Sequence, residues 1–215
     1  MSKRQISGLY TIADNTFRPE LTHVELAEAF LKGGARVVQL RMKGERGAEE
    51  KICDIAKKIM ALKRRYDFTF IVNDYVAVAK EVGADGVHVG ADDMPIADVR
   101  KIVGDKMIIG SSSHSLLEAL AAEKAGADYV ACGAIFPTKT KGPGHPIQGL
   151  EKLREVVCAL RVPVVAIGGI NKNNIRSVLE TGVASVAMIT ALTQAHDITE
   201  AARFFVFQLL PSHQI

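Results

Sequence analysis

Eight short runs of β-branched and other apolar residues alternate with eight longer segments of helical period, and that alternation constrains the fold more than any other property of the chain. The strand-like runs span 9–13, 36–40, 69–72, 86–89, 107–111, 129–135, 162–167 and 185–189. The helical patterns span 24–32, 49–66, 75–82, 96–103, 116–125, 150–160, 175–180 and 199–209. Several helices end in a repeated phrase that leads into the next strand: Gly34-Ala35, Gly83-Ala84-Asp85, Gly126-Ala127-Asp128 and Gly182-Val183-Ala184. Glycine there takes the left-handed conformation that closes a helix without a Cβ penalty. Right-handed crossovers between parallel strands build either an open doubly wound sheet or a closed barrel. Eight units in 215 residues favour an α/β fold of the (β/α)8 TIM-barrel type, a single domain over 1–215, with the open sheet as the lesser alternative.

Composition narrows the function classes. Hydrophobic residues make up 48% and charged residues 24%, the profile of an ordinary soluble globular protein. The net charge of +3 is spread along the chain, so a nucleic-acid partner is not expected. The densest basic run, Lys57-Lys58 to Lys63-Arg64-Arg65, lies at the end of a helical pattern, where the macrodipole favours cations. Cys53, Cys132 and Cys158 are odd in number and isolated in apolar surroundings, which indicates neither a disulfide framework nor a metal knuckle and fits a reducing cytoplasm. The basic N-terminus precedes an apolar run too short for a secretory signal, and no segment is long enough to span a membrane.

In such a barrel the active site lies in the loops that follow the strands. Polar residues gather there: Gln39-Leu40-Arg41-Met42-Lys43 after the second strand, Asn73-Asp74 after the third, and His88-Val89-Gly90-Ala91-Asp92-Asp93 after the fourth. Ser111-Ser112-Ser113-His114 follows the fifth strand, Gly168-Gly169-Ile170-Asn171 the seventh and Ile189-Thr190 the eighth. After the sixth comes Phe136-Pro137-Thr138-Lys139-Thr140-Lys141-Gly142-Pro143-Gly144, whose ammonium groups, hydroxyls and accessible backbone N–H groups suit a phosphate. Arg41, Lys43 and Lys141 would converge as cations, and Asp74 and Asp93 as a carboxylate pair fit for a divalent metal. Each aspartate taken alone reads equally well as a helix cap or turn residue. The glycines after the seventh strand and the backbone after the eighth suggest a second, monophosphate site, and so two phosphorylated ligands. His88, between Val87 and Val89, reads as a satisfied core histidine, and His114 as a cap or orienting residue.

These motifs together resemble the thiamine phosphate synthase, or thiamine-phosphate pyrophosphorylase, family over nearly the whole chain. The likeness rests on Gln39-x-Arg41-x-Lys43, Asn73-Asp74, His88-Val89-Gly90-x-Asp92-Asp93, Ser112-x-His114, Thr138-x-Thr140-Lys141, Gly168-Gly169-Ile170 and Ile189-Thr190. It implies a transferase that joins hydroxymethylpyrimidine diphosphate to a thiazole phosphate, releasing pyrophosphate, with Mg2+ as cofactor and a homodimer as the assembly. By similarity Gln39, Leu40, Arg41, Met42, Lys43, Asn73, Ser112 and Lys141 bind the pyrimidine diphosphate, with Arg41, Lys43, Ser112 and Lys141 as the catalytic set. Thr138, Lys139, Thr140, Gly169, Ile189 and Thr190 bind the thiazole phosphate, and Asp74 and Asp93 hold the metal. Two positions depart from the family pattern: Ala91 stands where glutamine is frequent and Thr190 where serine is usual. A leaving diphosphate and an electron-rich pyrimidine support a dissociative reaction that needs alignment and cations rather than a protein nucleophile, and none is found in the motifs. The alternatives are a thiazole tautomerase-like isomerase, which needs neither diphosphate nor metal, and a non-catalytic phosphate-binding barrel.

Overall fold

The strand-helix alternation closes on itself. The computed structural model describes residues 6–42, 48–90, 93–138, 140 and 146–210. Its strands are β1 (Gly8–Ala13), β2 (Val37–Leu40), β3 (Thr69–Asn73), β4 (Gly86–Val89), β5 (Ile108–Ser113), β6 (Tyr129–Gly133), β7 (Val164–Ile167) and β8 (Ser185–Met188). Each pairs in parallel with the next, and β8 returns to β1 through Gly8 opposite Ser185 and Thr11 opposite Met188, so the sheet is a closed barrel. The open-sheet alternative is thereby excluded.

The helices are α1 (His23–Lys32), α2 (Glu49–Ala61), α3 (Val76–Val82), α4 (Ile96–Val103), α5 (Leu116–Lys124), α6 (Gly149–Ala159), α7 (Ile175–Leu179), α8 (Thr190–Thr193) and α9 (Ile198–Gln208). Two differ from the sequence expectation. The pattern read as one helix over 49–66 stops at Ala61 and passes through a 3-10 turn, Leu62–Arg64. The short α8 sits where a loop was expected, because four residues are fewer than a periodicity can register. Helix starts are set locally. Thr22 and Glu25 form a reciprocal capping box, while Ser115 and Asp197 accept the backbone N–H of Glu118 and Glu200.

Two apolar layers separate by strand parity. One face of the strands, with Val38, Phe70, Val87, Ile109, Val130 and Val186, packs against the helices. The other fills the barrel with Tyr10, Ile12, Val37, Ile71, Ile108, Tyr129, Val165 and Ala187. Tyr129 fits only because Gly110 lies across from it: a Cβ on Gly110 would stand 2.0 Å from the Tyr129 ring.

The repeated Gly-Ala-Asp phrase has a structural purpose beyond the turn. Gly83 and Gly126 do take positive φ, and the aspartate that follows reaches back to the preceding strand. Asp85 Oδ2 accepts from Phe70 N–H at 2.7 Å and from the Lys63 ammonium. Asp128 Oδ2 accepts from Ile109 N–H at 2.8 Å and from Arg100 Nη2 at 2.6 Å. Arg100 in turn donates to the carbonyls of Gly104, Met107 and Gly126. Each unit therefore ties its strand start, helix end and loop with one charge-assisted cluster at the end of the barrel away from the strand C-termini. Among the described residues, no helix is long and apolar enough to cross a membrane. Replacing Asp128 by Ala should lower unfolding stability by about 2 kcal/mol in denaturant titration, since it orphans the Ile109 N–H and removes the carboxylate partner of Arg100, while turnover per folded molecule stays unchanged.

Candidate active site

At the C-terminal ends of the strands the inner face turns from apolar to polar. A cleft open to solvent has the apolar part of its lining formed by Ile12, Ala131, Val165, Ile167 and Ala187. Gln39, Arg41, Asn73, His88 and Ser112 line one side; Thr138, Thr140, Gly168, Gly169, Ile189 and Thr190 line the other. The two groups of residues expected to hold two different phosphorylated ligands thus face one cavity.

Strand parity decides which members of the Gln39 to Lys43 run contribute side chains. Gln39 and Arg41 face inward, whereas Leu40 and Met42 alternate to the other face and pack in the outer core. The side chains of Leu40 and Met42 do not line the cleft, so any contact of these two residues with a ligand there is through their backbone. Lys43, Lys139 and Lys141, with most of the 136–144 loop after Thr138, lie outside the described residues.

Arg41 is held by a residue that the sequence reading passed over. Asp14, directly after β1, forms an ion pair with its guanidinium; the side chains are 2% and 12% exposed. Asp14 Oδ1 also accepts from the Thr16 backbone N–H at 2.9 Å and from its hydroxyl. Burial pushes the Asp14 carboxyl up, but the Thr16 hydroxyl and amide and the Arg41 guanidinium outweigh it and hold the group below the ordinary 3.8. Its position at a strand C-terminus was the signal that could have found it.

His88 is buried with both ring nitrogens hydrogen bonded, as a satisfied core histidine should be, yet its partners are Tyr129 and the candidate site residue Ser112. His114 instead bonds to Glu118 through its backbone N–H and Nδ1, at the start of α5. The expected carboxylate pair is exposed at the ends of adjacent strands. Asp74 is the one described non-glycine residue with positive φ, at +65°, a conformation aspartate tolerates better than most side chains. The cap position of α3 is the next residue, Tyr75. Asp93 Oδ2 accepts from Gly90 N–H at 2.7 Å, so the turn reading holds for one of its oxygens.

Loops six and seven meet through backbone. Phe136 N–H donates to Gly168 O at 3.0 Å. Gly169 has φ +67°, and a Cβ there would lie 2.5 Å from Pro137 O, so only glycine fits this crossing. Thr140 N–H and hydroxyl turn toward Thr138 Oγ1, forming a tight hydroxyl-bearing turn beside it. Thr190 opens α8, and Arg18 binds the carbonyls of Thr193 and Ala195 at its other end, both at 3.1 Å.

A closed parallel barrel with an anchored guanidinium, side-chain amides and a glycine crossing around one mouth has the architecture of a barrel enzyme. The chain belongs to the thiamine monophosphate synthase family, whose model matches residues 9–192. It is 47% identical over 201 residues to the thiamine-phosphate synthase of Pyrococcus furiosus, covering 94% of each chain. It is 41% identical over 195 residues to that of Shouchella clausii, covering 91% of this chain and 92% of the relative. Among solved structures, thiamine phosphate pyrophosphorylase from Pyrococcus furiosus superposes with a TM-score of 0.84 at 44% identity, covering 95% of this chain and 97% of the other.

The sign of the Asp14 shift sets a pH test. Because its folded value is depressed, its stabilising contribution is complete above the ordinary 3.8 and is lost as pH falls through the lower folded value. Asp14→Ala should therefore be about 3 kcal/mol less stable than the parent near neutral pH, with the difference shrinking once pH drops below that ordinary value.

Proposed function

We propose that this chain transfers the pyrimidinylmethyl group of hydroxymethylpyrimidine diphosphate to the ring nitrogen of a thiazole phosphate, giving thiamine phosphate and pyrophosphate. The observation that carries the proposal is the single cleft in which an anchored guanidinium, Arg41, faces the glycine crossing at Gly168 and Gly169 and the start of α8. One anion binds on each side, and the reacting centres meet over the apolar floor.

Arg41, backed by Asp14, binds the diphosphate and stays fixed as charge develops on it, so little reorganisation is needed when the bond breaks. Lys43 and Lys141 belong to the same proposed cationic set. The carbon–oxygen bond to the diphosphate breaks with its electron pair leaving on oxygen, and the thiazole nitrogen supplies the pair for the new carbon–nitrogen bond. The aminopyrimidine bears the transient positive charge, so no side chain acts as nucleophile. Gln39, Asn73 and Ser112 orient the pyrimidine; Thr138, Thr140, Gly169, Ile189 and Thr190, with Lys139, hold the thiazole phosphate. The apolar floor keeps water away from the transferring methylene.

The donor set fits Mg2+. Asp74 and Asp93 stand exposed on neighbouring strand ends, and Asp93 keeps Oδ1 uncommitted among the described residues. No group of three or more His, Cys, Asp or Glu able to hold a metal occurs among the described residues, which suits an ion that takes two protein carboxylates and completes its shell with phosphate oxygens and water. When bound, Mg2+ supplies positive charge against the diphosphate.

Incubation with the two phosphorylated precursors and Mg2+ should release pyrophosphate and form thiamine phosphate, and chelation should abolish both. Absence of release with Mg2+ present overturns the transferase reading. Asp74→Asn and Asp93→Asn, which respect the left-handed backbone at 74 and the turn at 93, should each lower Mg2+-dependent turnover by roughly 100-fold with unfolding stability within about 0.5 kcal/mol of the parent. Unchanged turnover in both removes the metal assignment.

A further inference from the structure

A hydrogen-bonded chain of five side chains crosses the cleft floor, and each comes from a different strand. Gln39 Nε2 lies 3.0 Å from Tyr10 OH, and Tyr10 OH lies 2.7 Å from Tyr129 OH. Tyr129 OH lies 2.9 Å from His88 Nδ1, and His88 Nε2 lies 3.0 Å from Ser112 Oγ. Tyr10, Gln39, His88 and Tyr129 are buried, and the His88 and Tyr129 rings stack with centroids 5.6 Å apart. The chain joins two residues assigned to the pyrimidine diphosphate through three that the reaction has not used.

Donor counting gives the chain a direction. The Gln39 N–H group can only donate, so Tyr10 OH accepts it and sends its own proton to Tyr129. Tyr129 then donates to His88 Nδ1, which places the imidazole proton on Nε2 and points it at Ser112 Oγ. Ser112 accepts, and its hydroxyl proton is left for the cleft. Burial pushes both phenols above their ordinary value, so each keeps the proton this sequence requires. Gln39 Oε1 has no partner among the described residues. Turning the Gln39 amide over would reverse every link and convert Ser112 from a donor toward the cleft into a donor toward His88.

We propose that Tyr10, Tyr129 and His88 are positioning residues that couple the Gln39 amide to the Ser112 hydroxyl. The floor thereby presents a matched acceptor, Gln39 Oε1, and donor, Ser112 O–H, to one heteroaromatic ring. The ligand class this selects carries an N–H donor on one edge and a lone-pair acceptor on the other. A ring with that polarity reversed meets a donor with its donor and an acceptor with its acceptor. The assignment rests on Gln39 and Ser112 binding the pyrimidine diphosphate.

The test is a double-mutant cycle on steady-state kinetics. Tyr129→Phe keeps the ring in the Gly110 slot and removes one hydroxyl. It should lower kcat/KM for the pyrimidine diphosphate about tenfold with the KM for the thiazole phosphate unchanged. In a Ser112→Ala background the same change should cost less than about twofold, because the hydroxyl it orients is gone. Tyr10→Phe breaks the chain one link earlier and should behave alike, which covers the case of a poorly folded Tyr129 variant. His88→Gln, which retains an N–H donor, should keep more activity than His88→Leu. Equal losses from Tyr129→Phe or Tyr10→Phe in both backgrounds, or no loss in the parent, overturn the coupling while leaving the transferase reading intact. A Ser112→Ala variant with parental kinetics overturns both the coupling and the placement of Ser112 in the site.

Discussion

Closure of eight parallel strands into a barrel is the constraint on which the rest of this structure depends. Once the sheet has no edge, every second residue of every strand faces a shared interior, and that interior is too narrow for anything but side chains. Toward the strand starts it is filled by Tyr10, Val37, Ile71, Ile108 and Tyr129. Toward the strand ends the same parity delivers Gln39, Arg41, Asn73, His88 and Ser112 to the cleft. Packing and chemistry are consecutive layers of one column, so the Tyr10 and Tyr129 hydroxyls, which must be satisfied because they are buried, find their partners among the residues of the site.

Charge is treated differently at the two ends of the barrel. Away from the cleft, Asp85 and Asp128 are saturated by backbone N–H groups and by Lys63 and Arg100, and serve to lock strand starts to helix ends. At the cleft, Arg41 has one carboxylate partner among the described residues, the buried Asp14, while its side chain remains at the wall of an open cavity. A cation that has one such partner among the described residues and lines a cleft keeps capacity for an anion. A cation such as Arg100, bonded to three carbonyls and a carboxylate, does not.

The strand-helix order, the loop positions of the polar motifs and the turn glycines were legible in the sequence because each is local: a run of β-branched residues, a cap, a glycine where φ must be positive. Boundaries slipped where tertiary partners intervene. The seventh strand starts at Val164 rather than at residue 162, and the Pro163 carbonyl accepts instead from Val130 N–H. The helical pattern over 49–66 was cut at Ala61, where Lys63 turns to bind Phe68 O. Within the Gln39 to Lys43 run, the motif alone did not show that the pleat sends the Leu40 and Met42 side chains to the other face. Asp14, Tyr10 and Tyr129 were missed because no motif contains them; their significance lies in partners 27 to 119 residues away.

The sequence by itself determined the repeating unit, the class of barrel and the resemblance that places the chain in the thiamine monophosphate synthase family, because periodicity, turn chemistry and motif order are properties of neighbours along the chain. Only the tertiary structure decided that Asp14 anchors Arg41, that Gly110 opens the slot for Tyr129, and that His88 reaches Ser112. Those facts depend on which strands become neighbours when the barrel closes and on which face each residue then presents, and neither is written in any local stretch of sequence.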